Sequence, residues 1–140
     1  MGAAMRCLIV DDSQSFRSAA LGMLERGGIA VVGVASNSAD GLRYYLDLRP
    51  DVTLVDVDLG DESGFDLVEQ LHASGEPQPP PVILISAQAE QDLAELIADS
   101  AAVGFLPKIG LSPRAIVELV NRHRNGDQAG EHSVSASPEK

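Results

Sequence analysis

Five short, strongly apolar runs recur along the chain, and segments with helical spacing separate them. Each run has the length and the β-branched content of a buried strand. The runs cover residues 7–10, 29–35, 52–57, 82–85 and 102–106. Strands that alternate with helices in this way lie parallel, because each helix returns the chain to the same end of the sheet. The sequence therefore predicts an α/β fold, a three-layer doubly wound sandwich with five parallel strands and five helices.

Local signals mark where the helices begin and end. Gly27 and Gly28 end the first helix, Pro50 follows the second, and Ser112-Pro113 supplies the N-cap and the first-turn proline of the fifth. Apolar residues at helical spacing predict core-facing stripes on three helices. The stripes are Phe16, Ala19, Ala20, Met23 and Leu24; Leu93, Leu96 and Ile97; and Ile116, Leu119 and Val120.

The length fits one domain. A chain of 140 residues with 44% apolar content can bury a core without a disulfide or a structural metal. We place the domain at residues 5–124. From residue 125 to residue 140 the apolar periodicity is lost and Gly, Ser, Asp and Glu dominate. That segment is predicted to be a disordered tail or a truncated linker.

Composition argues against several functional classes. A single cysteine, Cys7, excludes a disulfide framework within the chain and suits a reducing compartment. No apolar run approaches the roughly 18 residues of a membrane span, and the N-terminus lacks a secretory pattern. A net charge of −11 disfavours binding to nucleic-acid phosphates. We therefore expect a cytoplasmic protein that binds neither membranes nor nucleic acid directly.

Polar residues follow four of the five predicted strands. In parallel α/β sheets, ligands bind outside the carboxyl ends of the strands, where the strand order reverses. If the second strand is the edge of a sheet in the order 2-1-3-4-5, these four ends are neighbours. One pocket then collects three carboxylates, a hydroxyl and the single lysine of the first 124 residues. These side chains belong to Asp11 and Asp12, Asp56, Ser86 and Lys108.

Such a pocket calls for a cation. Two carboxylates about 4 Å apart repel each other by roughly 4 kcal/mol at an effective dielectric of 20. Oxygen ligands that leave room for several waters suit Mg²⁺. With the metal bound, Asp56 is a candidate nucleophile toward phosphorus, while Ser86 and Lys108 can contact the phosphoryl oxygens. Acid pairs and serines also cap helices, but capping does not explain a lysine at the fourth of these ends.

With these residues the sequence closely resembles the receiver domain of two-component response regulators, from Arg6 to about Arg124. The spacing makes the match specific, with 44 residues from Asp12 to Asp56, 30 from Asp56 to Ser86 and 22 from Ser86 to Lys108. The resemblance implies the flavodoxin-like, CheY-like architecture. The matching motifs are LIVDD at 8–12, LVDVD at 54–58 with Gly64, LISA at 84–87 and GFLPK at 104–108.

The resemblance also implies roles for individual residues. Asp56 accepts a phosphoryl group from a histidine kinase or a phosphotransfer protein, with Mg²⁺ as the cofactor. The metal is held by Asp11, Asp12 and Asp56 and by the backbone carbonyl of Asp58. A chain of this kind is a signalling phosphoacceptor whose only expected catalysis is its own phosphorylation and dephosphorylation.

A switch and an output surface follow from the same resemblance. Ser86 and Phe105 match the hydroxyl and aromatic switch pair. The output surface lies on the fourth helix, the fifth strand and the fifth helix. Its partner is a downstream protein or an output domain beyond this chain, and phosphorylation can also drive homodimerisation.

Three positions depart from the family pattern. Gly60 stands where proline is common, which suggests a more mobile loop. Ile109 follows the lysine where many members have a proline joined by a cis bond. Phe105 lacks the hydroxyl of a tyrosine, so a switch here would act through burial of the ring alone. None of these differences removes a chemical group from the predicted site.

Two other functions fit parts of the pattern. Asp56-Val57-Asp58 resembles the Asp-x-Asp motif of haloacid-dehalogenase-type phosphatases, although that family carries the motif after the first strand and usually adds a cap domain. A receiver-like interaction module that is never phosphorylated is the other alternative, against which the complete set of site residues argues. The first strand is not followed by a Gly-x-Gly-x-x-Gly loop, which argues against a dinucleotide site.

Overall fold

A five-stranded parallel sheet forms the centre of the molecule. The computed structural model describes residues 4–74 and 79–130, and of residues 126–130 only the backbone. The strands lie in the order β2-β1-β3-β4-β5, which confirms the predicted fold and strand order. They are β1 (Arg6–Val10), β2 (Ala30–Ala35), β3 (Val52–Asp56), β4 (Val82–Ser86) and β5 (Gly104–Pro107).

In the described ranges, five α-helices connect and cover the strands. A 3₁₀ segment, Glu90–Leu93, leads into the fourth helix, and another, Lys108–Gly110, follows β5. None of the helices in the described ranges is both long and apolar enough to cross a membrane. The helices are α1 (Gln14–Arg26), α2 (Ser38–Leu48), α3 (Gly64–His72), α4 (Ala94–Asp99) and α5 (Pro113–Gly130).

The two faces of the sheet carry separate hydrophobic cores. Successive side chains of a strand point to opposite faces, so in β1 Cys7 and Ile9 pack toward α1 and α5, whereas Leu8 and Val10 pack toward α2 and α3. These four side chains are fully buried. Burial on both faces explains why the strands are apolar runs without alternation.

The predicted end of α1 and the predicted start of α5 are confirmed. The Ser13 hydroxyl accepts a hydrogen bond from the backbone N–H of Phe16 at the start of α1. Gly28 follows the end of α1 with φ of +92°, a conformation that favours glycine. At α5 the Ser112 hydroxyl accepts from the backbone N–H of Ala115 at 3.1 Å.

The prediction of core-facing residues on the helices was wrong at two positions. Ala19 is exposed on α1, and Leu96 is 54% exposed on α4. The α4 helix has only six residues and no fully buried side chain, because the chain enters it as a 3₁₀ segment that alters the spacing. Leu93 and Ile97 still pack against the core on the α2 and α3 side.

The last helix is longer than predicted. It continues six residues past Arg124 to Gly130, so residues 125–130 are helical and not a tail. A helix that is already nucleated extends at small cost, and this outweighs the loss of apolar periodicity. Residues 131–140, the rest of the predicted tail, lie outside the described residues, as do residues 75–78 of the proline-rich segment before β4.

Candidate functional site

The ends of four strands meet in one depression. The last residues of β3 and β4 are themselves polar, and short loops follow β1 and β5. Each predicted strand-end position except Asp11 lines this depression. Its lining residues are Asp12, Asp56, Asp58, Ser86, Ala87, Gln88 and Lys108.

Asp11 lies beneath the depression and is fully buried. Its Oδ1 accepts a hydrogen bond from the backbone N–H of Ser13 at 2.8 Å, which fixes the turn into α1. Arg17 reaches back from α1, and its Nη1 donates to the Asp11 carbonyl at 2.7 Å. The other carboxylate oxygen, Oδ2, is buried and lies 2.8 Å from the ammonium nitrogen of Lys108.

Asp56 ends the central strand β3 and is 5% exposed. Its Oδ1 accepts from the backbone N–H of Asp58 at 3.2 Å, and its Oδ2 accepts from Lys108 Nζ at 3.1 Å. Burial raises the pKa of this carboxyl above its ordinary value, and the nearby charge of Asp11 adds to the effect. The hydrogen bond from Asp58 and the lysine oppose that rise without cancelling it. A carboxylate of raised pKa is a stronger nucleophile than an ordinary one.

Lys108 brings its ammonium to the cluster of strand-end acids, at the place where the sequence predicted this side chain. Its Nζ lies 2.8 Å from Asp11 Oδ2 and directs its hydrogen bond to Asp56 Oδ2. Burial lowers the pKa of the ammonium, but the contacts with the two carboxylates outweigh this, and the pKa is raised overall. One ammonium therefore faces two buried acids, and the exposed carboxylate of Asp12 has no ion-pair partner among the described residues.

The residues present fit a divalent metal. Asp11, Asp12 and Asp56 each offer a carboxylate oxygen, and these oxygens lie within 4.8 Å of one another. Lys108 is the one side-chain cation in contact with these carboxylates among the described residues, so the cluster keeps an excess of negative charge that a divalent cation would offset. The donors are all oxygens and one acid is open to water, as Mg²⁺ prefers. The Asp58 carbonyl remains a predicted fourth ligand.

The loop after Asp56 is a short hairpin that the sequence analysis did not predict. Residues Asp58–Leu59 and Glu62–Ser63 pair as two-residue antiparallel strands. Gly60 sits in the turn with φ of +75° and donates its N–H to Asp58 Oδ1 at 3.2 Å. Proline holds φ near −65°, so the proline common at this position in the family could not adopt this turn.

The structure explains why position 64 is a glycine, which the sequence motif alone did not. It begins α3 and donates its N–H to the Val57 carbonyl at 2.9 Å. A Cβ at this position would collide with the backbone carbonyl oxygen of Asp56. Glycine thus lets the first turn of α3 pack directly against the strand end that carries the candidate nucleophile.

The predicted switch pair is buried. Ser86 is 2% exposed, and its hydroxyl oxygen accepts the backbone N–H of Gln88 at 2.9 Å. Phe105 is 7% exposed and belongs to the core on the α2 and α3 side. The Phe105 ring is therefore already buried in this conformation. A switch that begins from this conformation cannot gain the full free energy of burying an exposed ring.

Ile109 projects from the loop that follows Lys108. Its side chain is 99% exposed, although it is next in sequence to Lys108, whose side chain is largely buried. The described residues contain no cis peptide bond, so the bond after Lys108 is trans.

Comparison with known families agrees with this geometry. The family described as "Response regulator receiver domain" matches residues 7–121. The chain is 32% identical to a protein-glutamate methylesterase/protein-glutamine glutaminase of Halobacterium salinarum, over 94% of this chain and 40% of that protein. It is 35% identical to the enzyme of the same name from Alkalilimnicola ehrlichii, over 74% of this chain and 27% of that protein. The chain thus spans well under half the length of these relatives.

Solved structures give the same fold. The signal receiver domain assigned to the response regulator NarL of Mycobacterium tuberculosis superposes with a TM-score of 0.76 at 26% identity, covering 86% of this chain and 98% of that one. Chemotaxis protein CheY4 of Vibrio cholerae superposes with a TM-score of 0.73 at 23% identity, with the same coverage. The second likeness concerns the fold alone.

Proposed function

The chain belongs to the response regulator receiver domain family, and on this basis we propose that Asp56 accepts a phosphoryl group from a histidine kinase or a phosphotransfer protein. The observation that carries the proposal is the position of Asp56, a buried carboxylate between an acidic pair and the ammonium of Lys108. Structural capping would not require these groups to converge.

The transfer is a displacement at phosphorus. A carboxylate oxygen of Asp56 forms the new P–O bond as the bond between phosphorus and the donor's imidazole nitrogen breaks. The imidazole leaves with the bonding electron pair, and because its other ring nitrogen carries a proton in the phosphorylated donor, the leaving group is neutral imidazole.

Four side chains would stabilise the product, two of them directly and two through the metal. Lys108 is within reach of Asp56 Oδ2 and can move with its flexible stem onto a phosphoryl oxygen. The Ser86 hydroxyl can donate to another oxygen, because its bond with Gln88 uses it only as an acceptor. Asp11 and Asp12 would hold Mg²⁺, which when bound neutralises charge on the phosphoryl group.

We propose that the output is conformational. Ser86 ends β4 and Phe105 lies on the neighbouring β5, so the pair connects the site to the surface formed by α4, β5 and α5. A downstream protein, an output domain or a second copy of the chain would read this surface. In this proposal the chain acts in the cytoplasm as a phosphoacceptor and is not an enzyme that turns over external substrates.

A stoichiometry measurement tests the proposed function. The protein is incubated with Mg²⁺ and excess acetyl phosphate, and bound phosphate is counted over time, with turnover of an aryl phosphate monoester followed in parallel. We expect incorporation that saturates at no more than one phosphoryl group per chain, and no monoester turnover. Continuous monoester hydrolysis would instead support the phosphatase alternative, and absence of incorporation would support the interaction module.

A further inference from the structure

Phe16 makes a contact with the site that its place in a core stripe does not explain. It lies in the first turn of α1, and Lys108 Nζ stands over its ring, 4.4 Å from the centroid. An ammonium within about 6 Å of a ring face is attracted by the ring's quadrupole. The lysine side chain is only 19% exposed, so water screens this attraction weakly.

We propose that Phe16 is a positioning residue that holds the Lys108 ammonium over the site. Besides the ring, the charged contacts of Nζ are the carboxylates of Asp11 and Asp56. Both carboxylates also belong to the acidic cluster that fits a metal. Their attraction for the ammonium weakens whenever a divalent ion shares their charge, whereas the ring keeps its quadrupole in every state.

The fold gives this contact a fixed geometry. The backbone N–H of Phe16 is held by the Ser13 cap, and Ser13 is in turn bonded to Asp11 Oδ1. The ring also packs against the core on the α1 and α5 side. The ring and the carboxylate of Asp11 are therefore placed by one continuous turn, and the flexible lysine is guided by a rigid neighbour.

The contact can be measured without phosphorylation. The chain has two lysines, Lys108 and Lys140, so protein with ¹³C-labelled lysine gives two sets of Cε–Hε signals, and Lys140 serves as internal reference. Protons held over a ring face shift to lower frequency. We expect the Hε chemical shift of Lys108 to be lower than that of Lys140 in the wild type and in Phe16→Tyr. In Phe16→Leu the Lys108 shift should move back toward the Lys140 value.

Phe65→Leu is the matched control. Phe65 sits in the first turn of α3 and packs on the other face of the sheet, so the same substitution there should leave the Lys108 signal unchanged. An unchanged Lys108 signal in Phe16→Leu, or a shift of equal size in Phe65→Leu, would overturn the proposed contact. The Phe16→Tyr variant separates loss of the aromatic face from general disturbance of α1.

The consequence for the reaction rests on the proposed function. At saturating Mg²⁺, Phe16→Leu should lower the rate of phosphoryl incorporation from acetyl phosphate about two- to fivefold, the equivalent of one cation–π contact. Phe16→Tyr should keep the wild-type rate. Equal losses in both variants, or no loss in either, would contradict the positioning role. If the wild type itself takes up no phosphate, the proposed function fails and the lysine signals alone decide the inference.

Discussion

Lys108 Nζ lies 2.8 Å from Asp11 Oδ2, although the strands that these residues follow are separated in the sheet by β3 and β4. The lysine thus spans the whole width of the site and contacts two members of the acidic cluster that could hold a metal ion. If a divalent ion binds this cluster, we expect it to compete with the ammonium for Asp11 and Asp56.

Removal of the lysine charge should strengthen metal binding. The Lys108→Met substitution keeps an apolar side chain of similar length and removes the ammonium. Bound Mg²⁺ is then no longer repelled by a neighbouring positive charge. A unit charge about 4 Å away is worth roughly 1–4 kcal/mol at effective dielectrics between 80 and 20, so we expect Mg²⁺ to bind about tenfold tighter. Isothermal titration at low ionic strength measures this, and weaker binding would contradict the competition.

Asp12 should contribute to metal binding more than to folding. It is the exposed acid of the cluster and has no ion-pair partner among the described residues. Asp12→Ala should weaken Mg²⁺ binding at least tenfold and leave stability in metal-free buffer equal or slightly higher, because like-charge repulsion is relieved. Mg²⁺-induced shifts of Tm, which follow ligand saturation, compare the two proteins, and an unchanged Mg²⁺ response in Asp12→Ala argues against the assignment.

Stability should depend on pH through Asp56. Burial raises its pKa above the ordinary 3.8, so the folded state binds the proton more tightly than the unfolded state does. The free energy of unfolding therefore decreases as pH rises from 3.8, the ordinary pKa, through the raised pKa of Asp56 in the folded state. Asp56→Asn cannot ionise and should be more stable than the wild type at pH 7 without divalent ions, with the difference shrinking below pH 4. Urea unfolding with chelator present measures this, and a less stable variant at pH 7 contradicts the sign.

Arginine should not replace Lys108. The planar guanidinium needs a fork-shaped partner, whereas the site offers single oxygens from two strands and a compact place above a ring. We expect Lys108→Arg to take up phosphate and to lose most of the coupling to the α4 and β5 surface. NMR shifts at Gln88 and Phe105, with and without a phosphoryl mimic, report the coupling. Wild-type shift changes in the variant would contradict the role of the lysine.

The strand order and the polar strand ends could be predicted because both depend on short sequence patterns: apolar runs, helix caps and the residue that follows each run. Apolar runs of strand length, separated by capped helices, admit few topologies, and a parallel sheet then brings its carboxyl ends together. The convergence of Asp56 and Lys108 follows from that order alone. The polar residue at each end was visible in the sequence as a break in an apolar run.

Other features depend on tertiary packing or on single backbone angles. The contact between Phe16 and Lys108 joins distant segments, and a phenylalanine in a helical stripe gives no sign of it. The hairpin after Asp56 depends on the left-handed conformation of Gly60, which glycine permits but does not require. The continuation of α5 from Arg124 to Gly130 lies beyond the last apolar repeat, where spacing carries no information.

The intact mass of the protein after exposure to acetyl phosphate and Mg²⁺ tests the central claim most directly. Wild type, Asp56→Asn and Asp58→Asn are compared, since Asp58 is an exposed acid two residues away whose side chain accepts only a turn hydrogen bond. We expect one added phosphoryl group on the wild type and on Asp58→Asn, none on Asp56→Asn, and none on any protein with chelator. Phosphoryl addition to Asp56→Asn at the wild-type rate would contradict it.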